Sequence, residues 1–149
     1  MINKFVISFL MAVFCLPVIA DQYTVHNSDL VYVYDVDTFF IDIPMMPEIF
    51  GKRLPIRIRG IDGPEILGKC QYEKDNAIIA RDFLRELFNS SETLTLSNFE
   101  RGKYFRLVSD VFINYKSVAT ILIENNLVRK YDGKGKRKGW CDDVIINEI

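Results

Sequence analysis

The sequence predicts an α+β domain built on a small β-barrel of about five strands with two or three helices between and after them. Three observations carry that reading. Short runs of β-branched and aromatic residues alternate with polar turns through most of the first half. Two later stretches repeat apolar residues at three and four positions, which is helical spacing. The chain is 149 residues long, 49% hydrophobic and 26% charged, enough for one domain with a packed core and too apolar for a disordered segment.

The elements follow in chain order. Residues 1–20 carry Lys4, an apolar stretch from Phe5 to Val18, and small or moderately small residues, Val18 and Ala20, at the −3 and −1 positions of a cleavage site. This is the pattern of a secretory signal peptide cleaved after Ala20, leaving residues 21–149 as one domain with a short basic C-terminal tail. From Leu30 to Ile43, LVYVYDVDTFFIDI reads as two strands meeting at the polar corner around Asp35, Val36 and Asp37. Residues 44–52 have Pro and Gly without any period and read as a loop. Leu54 to Ile61 alternates Ile56 and Ile58 against Arg57 and Arg59, a strand with one apolar and one cationic face. Asp62-Gly63-Pro64-Glu65 forces a turn, and Ala77, Ala80, Phe83 or Leu84, and Leu87 then mark an amphipathic helix over roughly 72–88. Strands are expected at 93–96 and 105–113, with a polar turn around Glu100 to Lys103. Ser117 is positioned to cap a second helix running to Glu124 and stopped by Asn125-Asn126. Residues 129–138, RKYDGKGKRK, read as a mobile cationic segment.

Composition narrows the chemistry. With His26 as the only histidine and no HExxH, Cx2C or P-loop pattern, zinc and ATP chemistry of the usual kinds are disfavoured. Removal of 1–20 takes away Cys15 and leaves Cys70 and Cys141, an even pair that an exported chain would join as a disulfide. The polar residues at the corner, turn and strand start form a hard-cation and phosphate set. Asp37, Asp62 and a carbonyl near Gly63 offer oxygen ligands suited to Ca²⁺. Arg57 and Arg106 offer planar forks for phosphate oxygens, and Glu65 is a candidate general base.

Tyr34-Asp35-Val36-Asp37-Thr38, Arg57-Ile58-Arg59-Gly60-Ile61-Asp62-Gly63-Pro64-Glu65 and Gly102-Lys103-Tyr104-Phe105-Arg106 occur in that order, and together they resemble the staphylococcal nuclease (thermonuclease) family. Three motifs in register are far more specific than any one. The resemblance spans about residues 30–131 and implies a five-stranded OB-type barrel with helices. It implies Ca²⁺-dependent hydrolysis of DNA and RNA phosphodiesters with little sequence preference, leaving 3′-phosphates. By motif position, Asp37, Asp62 and the Gly63 carbonyl would be metal ligands, with Asp35 an outer carboxylate. Glu65 would be the base, Arg57 and Arg106 the catalytic phosphate-gripping pair, and Lys103 and Tyr104 nucleotide-phosphate contacts. Val36, Gly63 and Phe105 stand where the family commonly has Gly, Thr and Gly.

The leading expectation is thus a periplasmic or secreted nuclease acting on DNA and RNA, single strands preferred. It implies a monomer, no stable protein partner and no membrane attachment after cleavage. The alternatives are a non-catalytic nucleic-acid-binding OB module, and a disulfide-stapled envelope protein with a cationic tail. Degenerate modules lose the carboxylates or arginines, which are all present here; the envelope reading leaves them unexplained.

Overall fold

Branched and aromatic residues that stand upright on a pleated surface build the sheet. The computed structural model describes residues 21–143, so the signal peptide read at 1–20 lies outside the described residues, as do 144–149. β1 (Gln22–His26), β2 (Leu30–Asp35), β3 (Thr38–Ile41), β4 (Leu54–Ile58), β6 (Thr93–Arg101), β7 (Leu107–Ile113) and β8 (Lys116–Ser117) form one curled sheet. Its order is β1-β6-β7-β4-β3-β2, with β8 on β7. All neighbours are antiparallel except β4 and β7, which run parallel. The architecture is the expected α+β, OB-type fold. β5 (Ile61–Asp62) stands apart and pairs with β9 (Arg129–Lys130).

The inner face buries Val25, Val33, Phe39, Ile41, Ile56, Ile58, Leu94, Leu96 and Val111. α2 (Gln71–Asn89) closes over it, since Ala77, Ala80, Leu84 and Phe88 recur at helical spacing on one buried stripe. Phe88 meets Phe39 edge-on at 5.0 Å between ring centroids. α3 (Val118–Glu124) begins where Ser117 Oγ accepts the Thr120 N–H at 3.3 Å and buries Val118 and Leu122. Among the described residues no helix is long and apolar enough to cross a membrane.

Four departures from the sequence reading have local causes. β1 has a single buried apolar residue, Val25, and exists because it pairs with β6. β6 runs through the polar stretch up to Arg101, held by β7 across a register shift between Ser97 and Glu100. A one-turn helix, α1 (Glu48–Gly51), lies inside the segment read as loop. The run 129–138 is not a free cationic tail. It starts as β9, and the Cys70–Cys141 disulfide pins the chain just beyond it. Arg129 also stacks on Trp140 at 3.9 Å and donates to the Lys138 and Gly139 carbonyls. Residues 131–140 therefore form a strap fastened at both ends.

Candidate functional site

The site begins at the β2–β3 corner. A register shift between Val33 and Asp35 interrupts the alternation of β2, so that Tyr34 and Asp35 both line one cleft while Val33 stays in the core. Asp37 is buried at the start of β3, where Thr38 Oγ1 donates to its Oδ1 at 2.7 Å. The corner residue between the two carboxylates, Val36, is 1% exposed. A Cβ on Gly63 would come within 2.0 Å of Val36 Cγ1. The Val36 side chain thus fills the space that a side chain at position 63 would need. Gly63→Thr should destabilise the fold by about 3 kcal/mol. Adding Val36→Gly should recover part of that loss, as a double-mutant cycle in urea would show.

β4 presents Arg57 beside this corner. Its Nη1 donates to Asp37 Oδ2 at 2.5 Å, its Nη2 donates to the Ile61 carbonyl at 3.1 Å, and Nη2 lies 3.9 Å from Asp62 Oδ1. Arg59, on the same strand face, is spent elsewhere: it pairs with Glu100 at 2.7 Å and Asp110 at 3.4 Å, tying β4 to β6 and β7. Arg106 follows a tight turn in which Tyr104 and Phe105 are both left-handed, at φ 58° and 59°. That conformation costs a bulky residue about 1–2 kcal/mol. Phe105 is supported there by the Phe50 ring and by the Arg101 guanidinium over its face. Glu65 leaves the turn after Pro64. Buried Glu73 of α2 holds that loop, accepting the Glu65 N–H at 3.4 Å and the Lys69 N–H at 2.9 Å.

These elements meet at a cleft of about 460 Å³ lined by Asp35, Asp37, Arg57, Gly63, Glu65, Tyr104 and Arg106, with Tyr32, Tyr34, Phe40 and Pro55 along one wall. Asp62 lies behind Gly63 and faces an adjoining recess under the strap. Lys103 is exposed in the same turn as Tyr104 but does not line the cleft. Cys70 and Cys141 form the bridge that the cysteine count implied. One residue was not foreseen: Arg137 of the strap reaches Asp62 Oδ1 at 3.2 Å and Glu65 Oε1 at 3.0 Å. The basic run containing it was visible in the sequence, but nothing local distinguished Arg137 from its neighbours.

The electrostatics are those of a crowded ionic pocket. Burial, and after it the charges of Asp37 and Glu65, push the Asp35 carboxyl up to about 6, against the pull of the Ile66 N–H and Arg57. Burial raises Asp62 as well, with Arg137 opposing. Arg106 is lowered, first by burial and then by the neighbouring Arg57 charge. It makes no ion pair among the described residues, and its Nε is buried without a hydrogen-bond partner. Because Asp35 is raised above its ordinary 3.8, the folded state resists its ionisation. Its contribution to stability is complete below that value and is lost as pH rises through about 6. In metal-free buffer, Asp35→Asn should match the parent near about pH 4 and exceed it by up to about 3 kcal/mol at about pH 7 in urea unfolding.

The donors suit a hard divalent cation. Asp35 Oδ1 and Asp62 Oδ1 are buried acceptors without hydrogen bonds, and with Asp37 and the Gly63 carbonyl the set consists of oxygen ligands alone. By donor type these oxygens suit Ca²⁺ and not thiolate- or imidazole-seeking metals.

Residues 55–143 match the family model described as "Staphylococcal nuclease homologue". The match contains Arg57, Asp62, Gly63, Glu65, Arg106 and Arg137, and begins after the Asp35–Asp37 corner. No curated protein matches the sequence.

Proposed function

The chain belongs to the staphylococcal nuclease family, whose domains are of the nuclease, nucleic-acid-binding type, and from that premise we propose that it is a Ca²⁺-dependent endonuclease. It hydrolyses DNA and RNA phosphodiesters with little sequence preference and leaves 3′-phosphates. It works as a monomer, exported to the periplasm or beyond through the leader at 1–20. One observation carries the reading: a half-buried guanidinium that makes no ion pair among the described residues, Arg106, opens into the same cleft as Arg57 and a cluster of carboxylates. A buried cation kept without a partner is costly in the resting fold, and a phosphodiester oxygen supplies the partner.

The chemistry divides between the two sides of the cleft. Held by Asp37, Asp62 and the Gly63 carbonyl, Ca²⁺ would polarise the phosphate and lower the pKa of a bound water. Glu65, exposed at the rim, takes a proton from the attacking water onto its carboxylate. The new bond forms at phosphorus as the bond to the 5′-oxygen breaks, and the departing 5′-oxygen takes a proton from solvent water to leave as a hydroxyl. Arg57 and Arg106 donate to the equatorial oxygens where charge builds, and the Asp37 and Ile61 contacts of Arg57 hold its fork rigid beforehand.

The test uses the exported form, residues 21–149, with denatured DNA in Ca²⁺ or in chelator, beside Glu65→Ser. Cleavage should require Ca²⁺ and fall by about 10²–10⁴-fold in the variant. Binding without cleavage by the parent protein would replace this reading with that of a non-catalytic OB module.

A further inference from the structure

Part of the cleft lining is aromatic, and none of the chemistry above uses it. Tyr32 and Tyr34 project from β2 on the face away from the core, and they are 39% and 49% exposed. Tyr32 lies across from Phe40 on β3, and Phe40 across from Pro55 on β4. The Tyr32 and Phe40 rings are stacked, with centroids 4.6 Å apart and planes within 11°. This row is one pleat, or about 7 Å, from the row that pairs Thr38 with Arg57. Rings and phosphate-seeking guanidinium groups thus share one cleft, with a spacing comparable to that between a base and its own phosphate.

Large exposed rings on a sheet face can simply stabilise strand pairing, and the Tyr32–Phe40 stack does so. That leaves Tyr34 without an account. It shares the outward face of Tyr32, stands at the register shift of β2 with no residue opposite it on β3, and lines the cleft beside Asp35. Tyr32, Phe40 and Pro55 also lie outside the three sequence motifs that carry the family resemblance.

We propose that Tyr32, Tyr34 and Phe40 form a stacking subsite for one unpaired nucleobase, that of the nucleotide whose phosphate is held by Arg57 and Arg106. This rests on the cleft being a phosphodiester site, as above. Stacking uses the π-face common to every base, so the subsite accepts all of them. A base inside a duplex has both faces covered by its neighbours and cannot enter. The subsite therefore makes single strands the preferred substrate and leaves sequence unread.

The experiment measures binding in low-salt chelator, where nothing is cut, to labelled oligothymidylate and to an abasic sugar-phosphate chain of equal length. The parent protein should favour oligothymidylate by at least about fivefold. Tyr32→Ala with Tyr34→Ala should erase that preference and leave abasic binding unchanged, whereas the corresponding Phe pair should keep it. Tyr34→Ala alone, which leaves the Tyr32–Phe40 stack intact, should lose part of the preference if the double variant does not fold. In Ca²⁺, the ratio of kcat/KM for single strand over duplex should fall in the alanine variants. Equal binding of the two oligomers by the parent, or a preference that survives both alanine variants, overturns the proposal. The two readings fail separately. Base preference without cleavage keeps the subsite and removes the nuclease, and cleavage without base preference does the reverse.

Discussion

Replacing Arg106 with alanine lowers the rate of phosphodiester cleavage by about 10²–10³-fold, the usual loss when one fixed donor to a developing charge is removed. The same change leaves the protein at least as stable as its parent. Those outcomes normally conflict for a half-buried arginine. They coincide here because Arg106 makes no ion pair among the described residues and is disfavoured by burial and by Arg57. Arg57 is the contrast. It is joined to Asp37, Asp62 and the Ile61 carbonyl, so Arg57→Ala should lose activity and also leave the buried Asp37 carboxylate without its ion pair. Thermal midpoints measured beside cleavage rates for both variants would separate a group kept for substrate from one kept for the fold. A large fall in stability on removing Arg106 would mean that its partner lies within the protein.

Removing the Cys70–Cys141 bridge has the second large effect. The cysteines are 71 positions apart, and opening a loop of that size frees unfolded-chain entropy equivalent to about 4 kcal/mol. The paired Cys70→Ser, Cys141→Ser variant should show that loss in urea unfolding, as should the reduced parent. Activity should fall beyond what stability explains, because the bridge anchors the strap that holds Arg137 against Asp62 and Glu65. Arg137→Ala with the bridge intact isolates the contact. That guanidinium is 45% exposed, so its loss should cost no more than about 1 kcal/mol. Equal activity in the bridged and unbridged proteins would show that the strap is structural alone.

Much of this could be read from local pattern. The strand pair around Asp35 to Asp37, the alternating β4, the helix stripe begun by Ala77 and Ala80, and the Ser117 cap are each written within a few neighbouring residues, and periodicity and capping act over that range, although the stripe ends on Phe88 where Leu87 was expected. The three polar motifs were equally legible, since each is a short turn or strand end whose composition conflicts with its surroundings. Cysteine parity was sufficient for the bridge once the leader was set aside. What the sequence could not carry depends on contacts between distant segments. β1 and the polar end of β6 become strands only because a partner satisfies their backbone groups. The bulk of Val36 and the bareness of Gly63 look like two separate oddities until the fold brings them together. Arg137 is one basic residue among six between 129 and 138, and its position follows from the β5–β9 pairing at one end and the disulfide at the other. The aromatic row has the same origin: Tyr32, Phe40 and Pro55 lie on three different strands, and register alone makes them one surface. Local sequence thus determined most of the elements and the chemical types at the site. Long-range pairing decided which of those groups face one another, because the energy that aligns them is shared between segments and is written in neither.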